Sequence, residues 1–246
     1  MKLRILFLGD TGVGKTSLIQ NLCSSAGSVQ TRLRESLKPT KGFSISCIVL
    51  PLSVERDTIE SKTIVELWEW GGLATSTSVF QRAFHNIPFD GIVFVYDLTI
   101  SATRDRLWKY WAVQVQQSFG DVEGGKERDN RNSFAFWREG LSLNRVGETL
   151  TYLFFELLSM VPIVKKHWKE KTETYYLSLL SRQLPVAVVG NKSDIWSQRR
   201  KLQLKSTPID GIFYCQLNAE QVSQDRSFWN FVSAVLERKS NEINHY

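Results

Sequence analysis

The 246-residue sequence predicts an α/β fold: a mostly parallel six-stranded sheet with helices on both faces and one antiparallel edge strand. Three observations carry that expectation. Gly91–Tyr96 (GIVFVY) and Pro185–Val189 (PVAVV) are short, wholly apolar runs that end in Asp97 and in Gly190–Asn191, the pattern of buried parallel strands with polar residues at their carboxyl ends. Helical stripes separate such runs. Gly9, Asp10, Thr11, Gly12, Val13, Gly14, Lys15 and Thr16 fit G-x-x-x-x-G-K-[ST] between an apolar strand and a helix, which makes a phosphate cradle.

In chain order, Leu3, Ile5, Leu6, Phe7 and Leu8 form the first strand, and Ser17–Cys23 continues the cradle as a helix packing Leu18, Ile19 and Leu22. Ser24–Pro39, rich in Ser, Thr and Arg, reads as a helix end and loop. Phe43–Leu50 is a strand. The turn at Pro51–Asp57 joins it to a second, Thr58–Trp68, as an antiparallel hairpin, and Glu69, Trp70, Gly71 and Gly72 follow. Helices are expected at Ser101–Ser118, with Leu107, Trp108, Trp111 and Val115 on one face, and at Ser227–Lys239, with Phe228, Phe231, Val232, Val235 and Leu236. Core packing is the reading of those aromatics. Ile212–Cys215 supplies the last strand.

The net charge of +6 suits an anionic ligand but is too dispersed to argue a nucleic-acid partner. Cys23, Cys47 and Cys215 are few, odd in number and far apart, which points to free thiols in a cytoplasmic protein rather than a disulfide framework or zinc site. The chain starts on a strand and ends in Asn244, His245 and Tyr246. No signal peptide, transmembrane segment or prenyl anchor is therefore expected.

Ligands of open α/β sheets bind beyond the carboxyl ends of the strands, and several segments fall at that edge. In the cradle, backbone N–H groups and a helix N-terminus face a polyphosphate. Lys15 would reach the β- and γ-phosphates, the Thr16 hydroxyl would hold Mg²⁺, and Ser17 is counted among the nucleotide-binding residues. Asn191, Lys192, Ser193 and Asp194 fit N-K-x-D directly after a strand. A carboxylate there accepts two parallel hydrogen bonds from guanine, whereas adenine has no such donor pair, so Asp194 would choose GTP over ATP.

With these motifs the sequence resembles the Ras-like small GTPases. GDTGVGKTSL, the P-T-x-G of Pro39–Gly42 and YDLT at Tyr96–Thr99 are most like the Rab branch. W-x-x-G-G without a lipidation cysteine is similar to its atypical subgroup called Rab-like protein three. The resemblance covers residues 1–120 and 183–240, which would form a GTP-binding G-domain of the P-loop NTPase class, with 241–246 as a tail. It implies GTP or GDP with Mg²⁺ as cofactors. Thr40 would bind Mg²⁺ and sense the γ-phosphate, Glu69–Gly72 would match D-x-x-G with Glu69 toward the metal and the Gly72 N–H toward the γ-phosphate, and Ala219 would contact the guanine carbonyl. Switch loops 27–42 and 69–85 would meet effector or regulator proteins, with the chain cytoplasmic or brought to membranes by a partner.

Three departures bear on mechanism. Leu73 stands where the family has the glutamine that orients the attacking water, Glu69 replaces an aspartate, and no aromatic residue lies between Ser17 and Thr40 to cover the guanine ring. Phosphoryl transfer rests on positioned charge and a positioned nucleophile, so binding with slow intrinsic hydrolysis is expected and no residue is assigned as catalytic. A non-catalytic scaffold built on the same domain is the alternative. An ATP-dependent enzyme is disfavoured by Asp194.

Residues 121–182 are an insertion. Gly124–Gly140 is polar, Leu150–Val164 is strongly apolar, and Lys165, Lys166, His167, Trp168 and Lys169 follow as a basic stretch. The apolar run is too short for a bilayer span and contains Glu156 and Pro162. Three readings compete: an extra helix packed on the domain, a membrane-surface helix, and an unspliced intron retained in the chain. For the last, Gly125–Lys126 can be encoded by a splice donor and Ser178–Arg182 by a pyrimidine tract with its acceptor. Residues 126–182 hold ten Lys or Arg against seven Asp or Glu, so +3 of the total +6 lies there.

Overall fold

In the computed structural model, residues 1–25, 40, 42–51, 62–72, 77–120, 162–197 and 212–244 are described. The expected loop from residue 26 to 39, Lys41, the hairpin turn, Leu73, residues 121–161 and the last two residues lie outside them.

The elements are β1 (Lys2–Leu8), α1 (Lys15–Ser25), β2 (Phe43–Pro51), β3 (Lys62–Trp70), α2 (Thr77–Asn86) and β4 (Gly91–Asp97). Next, α3 (Ser101–Arg106) runs through a π-helical turn (Leu107–Trp111) into α4 (Ala112–Gly120). After α5 (Pro162–Gln183) come β5 (Val186–Asn191), α6 (Ser193–Ser197), β6 (Ile212–Gln216), a 3₁₀ turn (Ala219–Gln224) and α7 (Arg226–Asn244). The six strands lie in the order β2-β3-β1-β4-β5-β6, with β2 antiparallel to β3 and every other pair parallel.

Alternation along the strands divides the core into two layers. Leu3, Ile5 and Phe7, with Val93, Val95, Ala187 and Val189, pack against Leu18 and Leu22 of α1 and Phe228, Phe231 and Val235 of α7. Leu6, Leu8, Ile92, Phe94, Val186 and Val188 face the other way, onto Phe80 and Phe84 of α2, Leu107, Trp108, Trp111 and Val115 of the π turn and α4, and Leu177 and Leu180 of α5. Strands apolar on both faces are covered on both faces, which puts the polar strand ends at one open edge.

Three boundaries differ from the sequence reading. Strand β3 runs two residues past Trp68, because Trp70 is held edge-on against Phe80 at 5.0 Å and Glu69 pairs in register with Phe7. The presumed switch loop 69–85 therefore begins as strand and becomes helix from Thr77, where Phe80 and Phe84, one turn apart, both reach the core. The last helix continues to Asn244. The end of the insertion is α5, whose Leu177 and Leu180 are fully buried, each worth about 2 kcal/mol of apolar transfer.

Candidate nucleotide-binding site

The cradle between β1 and α1 turns through three left-handed glycines, Gly9 (φ 152°), Gly12 (φ 81°) and Gly14 (φ 96°). Two of them also lack room for a side chain. A Cβ on Gly9 would lie 2.1 Å from the Val95 carbonyl oxygen, and one on Gly14 would lie 2.2 Å from Asn191 Nδ2. That second approach exists because Asn191 Nδ2 donates to the Val13 carbonyl (2.8 Å), so the first residue of N-K-x-D braces the phosphate loop. Its other polar side-chain atom, Oδ1, is buried and has no hydrogen-bond partner among the described residues.

Lys15 folds over this loop and donates Nζ to the carbonyls of Gly9 (2.8 Å) and Asp10 (2.9 Å). Only 4% of it is exposed. Burial pulls its pKa down to about 8, against the opposing pull of Glu69 and Asp10. At the start of α1, Thr16 Oγ1 donates to Glu69 Oε1 (2.7 Å), and Thr40 Oγ1 donates to the same oxygen (3.0 Å). The two threonine oxygens are 3.5 Å apart. The three residues assigned to the metal thus converge on one point.

Gly71 N donates to the Gly42 carbonyl (2.7 Å), which stitches the segment after Thr40 to the end of β3. Gly72 lies against the phosphate loop so closely that a Cβ would be 2.1 Å from Thr11 N. Ser17 takes no part in these contacts; its carbonyl accepts from Asn21 Nδ2 within α1.

At the N-K-x-D segment, Lys192 adopts φ 65° and sends Nζ to Asp97 Oδ2 (2.5 Å). Asp97 Oδ1 accepts from the backbone and hydroxyl of Thr99 (2.8 and 2.6 Å). Burial would raise the Asp97 carboxyl, but the hydrogen bonds from Lys192 and Thr99 outweigh it and hold the pKa below its ordinary value. Asp194 follows in the first turn of α6, exposed at the site's rim. Ser193 N donates to the Leu217 carbonyl (3.3 Å), and Asn218 Oδ1 caps the 3₁₀ turn that begins at Ala219 by accepting from Gln221 N (3.0 Å). Ala219 and Asp194 therefore project from two segments tied together at the ends of β5 and β6.

Sequence reasoning passed over two members of this site. Asp97 was visible as the polar end of a buried strand but received no role. Trp111, read only as core, is 2% exposed yet donates Nε1 to Asp10 Oδ1 (3.0 Å), an oxygen that Arg106 Nε also approaches (3.2 Å). The signal for Trp111 was its own N–H, a donor that needs a partner when buried.

Residues 4–123 match the family model of Roc, described as Ras of Complex, Roc, domain of DAPkinase. The chain is 33% identical over 118 residues to Rab-like protein 3 of Homo sapiens, a match covering 46% of each chain. It is 30% identical over 117 residues to the small GTPase-like protein LIP2 of Arabidopsis thaliana (46% of this chain, 34% of that protein). To the Ras-related protein RABC2a of the same plant it is 28% identical over 120 residues (47% and 48%). The chain spans about half the length of the curated relatives it matches. The fold is that of a Ras-like G-domain, and over about half of the chain the sequence is similar to small GTPases. Within that superfamily the similarity lies with the Rab-like branch.

Proposed function

We propose that this chain is a Mg²⁺-dependent guanine-nucleotide switch that binds GTP and GDP and hydrolyses GTP slowly. The observation that carries this is the meeting of Lys15, Thr16, Thr40, Glu69 and Gly72 at the mouth of a glycine cradle that Asn191 braces from the opposite strand. The residues present fit the ligand. The left-handed glycines give the loop the turn that presents backbone N–H groups to a phosphate, Asn191 Oδ1 is a buried acceptor without a partner among the described residues, and three oxygens supply hard donors for Mg²⁺.

Thr16, Thr40 and Glu69 would hold the Mg²⁺, whose charge offsets that of the β- and γ-phosphates. Lys15 would turn its ammonium from the loop carbonyls to the phosphate oxygens. Asp194 would select guanine, while the Lys192–Asp97 pair fixes the backbone that presents it. Thr40 and Gly72 are joined through the Gly42–Gly71 bond, so ordering one by the γ-phosphate orders the other. Leu73, outside the described residues, stands in the sequence where the resembled family has its water-orienting glutamine, and a hydrocarbon side chain offers no hydrogen bond, which is the basis for slow hydrolysis.

Effectors or regulators would read residues 27–42 and 69–85. No described helix is long and apolar enough to cross a membrane, and a cytoplasmic protein brought to membranes by a partner fits this role in trafficking or signalling. Burial of Leu177 and Leu180 supports the packed-helix reading of the end of the insertion over the unspliced-intron one. The non-catalytic scaffold is retained as a second reading because of Leu73. Single-turnover GTP cleavage separates the two: slow cleavage that Leu73→Gln accelerates about tenfold or more fits the switch, whereas no cleavage by either protein fits the scaffold.

A further inference from the structure

Resting on the guanine-nucleotide reading, we propose that Glu173, on the helix α5 that ends the insertion, is a positioning residue for the guanine-reading segment Asn191–Asp194, acting through Arg104 and the ring of Tyr96. Strands β4 and β5 lie side by side with Tyr96 opposite Gly190 and Asp97 opposite Asn191. The hydroxyl end of Tyr96 rests on β5 just before N-K-x-D: a Cβ on Gly190 would be 2.9 Å from Tyr96 Oη and 2.9 Å from Leu98 Cδ2. Leu98 N donates to the Asn191 carbonyl (3.0 Å), and Asp97 takes the Lys192 ammonium. The end of β4 therefore sets where Asn191 and Lys192 stand, and with them Asp194.

Two helices fix that end of β4. From α3, Thr103 Oγ1 accepts the Asp97 N–H (3.0 Å), and the next residue, Arg104, lays its guanidinium over the Tyr96 ring, with 5.8 Å between its carbon and the ring centre. From α5, both carboxylate oxygens of Glu173 accept from Arg104 Nη2 (3.0 and 2.8 Å). The Glu173 side chain is 13% exposed and that of Arg104 34%, so this charge-assisted pair is less screened by water than one on open surface. An arginine pinned between an aromatic face and a carboxylate keeps one rotamer; without the carboxylate it regains its freedom and leaves the ring. Tyr96 is buried, so its seat on Gly190 depends on what covers it. The insertion thereby reaches the base-reading segment through direct contacts, Glu173 to Arg104 to Tyr96 to Gly190, that bypass the phosphate loop.

The test uses the full chain loaded with a fluorescent GDP analogue, and the variant Glu173→Gln, which keeps the shape of the side chain and removes its charge. Release of the analogue is expected to be about threefold faster than from wild type, and the preference for GDP over ADP to fall by a similar factor, with little change in urea unfolding. Arg104→Met, which takes the guanidinium off the ring, is expected to do the same, and the double variant no more than Arg104→Met alone. Leu177→Ala, one turn along α5, is the control: it empties core volume without touching Arg104, and is expected to lower stability while release stays within about twofold. Release untouched in both charge variants, equal loss of affinity for GDP and ADP, or release that follows stability so that Leu177→Ala accelerates it most, overturns the proposal and leaves the nucleotide reading intact. A wild-type protein that retains neither GDP nor GTP overturns both.

Discussion

Trp111 donates its indole Nε1–H to Asp10 Oδ1 across 3.0 Å, joining the helix behind β4 to the phosphate loop. The π turn makes this contact reachable: the Ala112 N–H bonds back five residues to the Leu107 carbonyl, and the widened turn alters the angular spacing of the side chains around it. Arg106 Nε adds a second approach to the same oxygen at 3.2 Å, and the Asp10 carbonyl is one of the two acceptors of Lys15. Trp111 is thus a positioning residue for the loop that Lys15 serves.

Trp111→Phe keeps an aromatic ring in the core and removes one hydrogen bond to an acidic acceptor, worth about 1.5–3 kcal/mol. Release of a fluorescent GDP analogue is expected to be about tenfold faster in the variant with little change in the far-UV circular dichroism spectrum. An unchanged release rate would show that the indole only fills space.

Lys15 makes nucleotide affinity depend on pH in one direction. Its pKa is about 8 in the buried cradle, and contact with a polyphosphate raises it. Below about 8 the lysine is charged before and after binding. Above that value the free protein must take up a proton to bind, so affinity falls as pH rises, by up to tenfold per unit. Calorimetry in buffers of different ionisation enthalpy should show uptake of roughly half a proton or more per GDP bound at pH 8.5. Uptake near zero would mean that Lys15 stays charged in the free cradle.

Helix α5 tests whether the end of the insertion belongs to the folded domain. Leu177 is fully buried, and Glu173 makes a two-pronged bond to Arg104 Nη2 on α3 (3.0 and 2.8 Å). Leu177→Ala is expected to cost about 3 kcal/mol in urea unfolding. A loss below about 0.5 kcal/mol is what a solvent-facing position gives, and would remove α5 from the core.

The parts of this architecture that the sequence displayed plainly are those set by short-range patterns. Wholly apolar strands such as Gly91–Asp97 and the fixed spacing of Gly9, Gly14, Lys15 and Thr16 are readable without tertiary information. Assembly of the site across the chain was less readable. N-K-x-D suggested a base contact for Asp194, but not that Asn191 would brace Val13 178 positions away in the chain. Resemblance assigns Glu69 toward the metal, as the first residue of a switch loop; only the pairing of β3 with β1 shows that it is strand-borne and bonded to Thr16. The helical stripe of Ser101–Ser118 placed Trp111 in the core, but a stripe drawn at constant period cannot show a π turn. Helix α5 has little amphipathic stripe of its own, so its docking through Leu177 and Leu180 depends on the sheet face it meets.

The claim on which the account depends is that Asp194 reads guanine above a cradle that holds phosphate. Competition of GDP and ADP for the purified protein, repeated with Asp194→Ala, tests it most directly. Two charge-assisted hydrogen bonds predict that wild type prefers GDP by ~100-fold or more, and that Asp194→Ala loses most of the preference while still binding either diphosphate weakly. Equal affinity of the wild-type protein for GDP and ADP, or a guanine preference untouched by the substitution, would contradict the account.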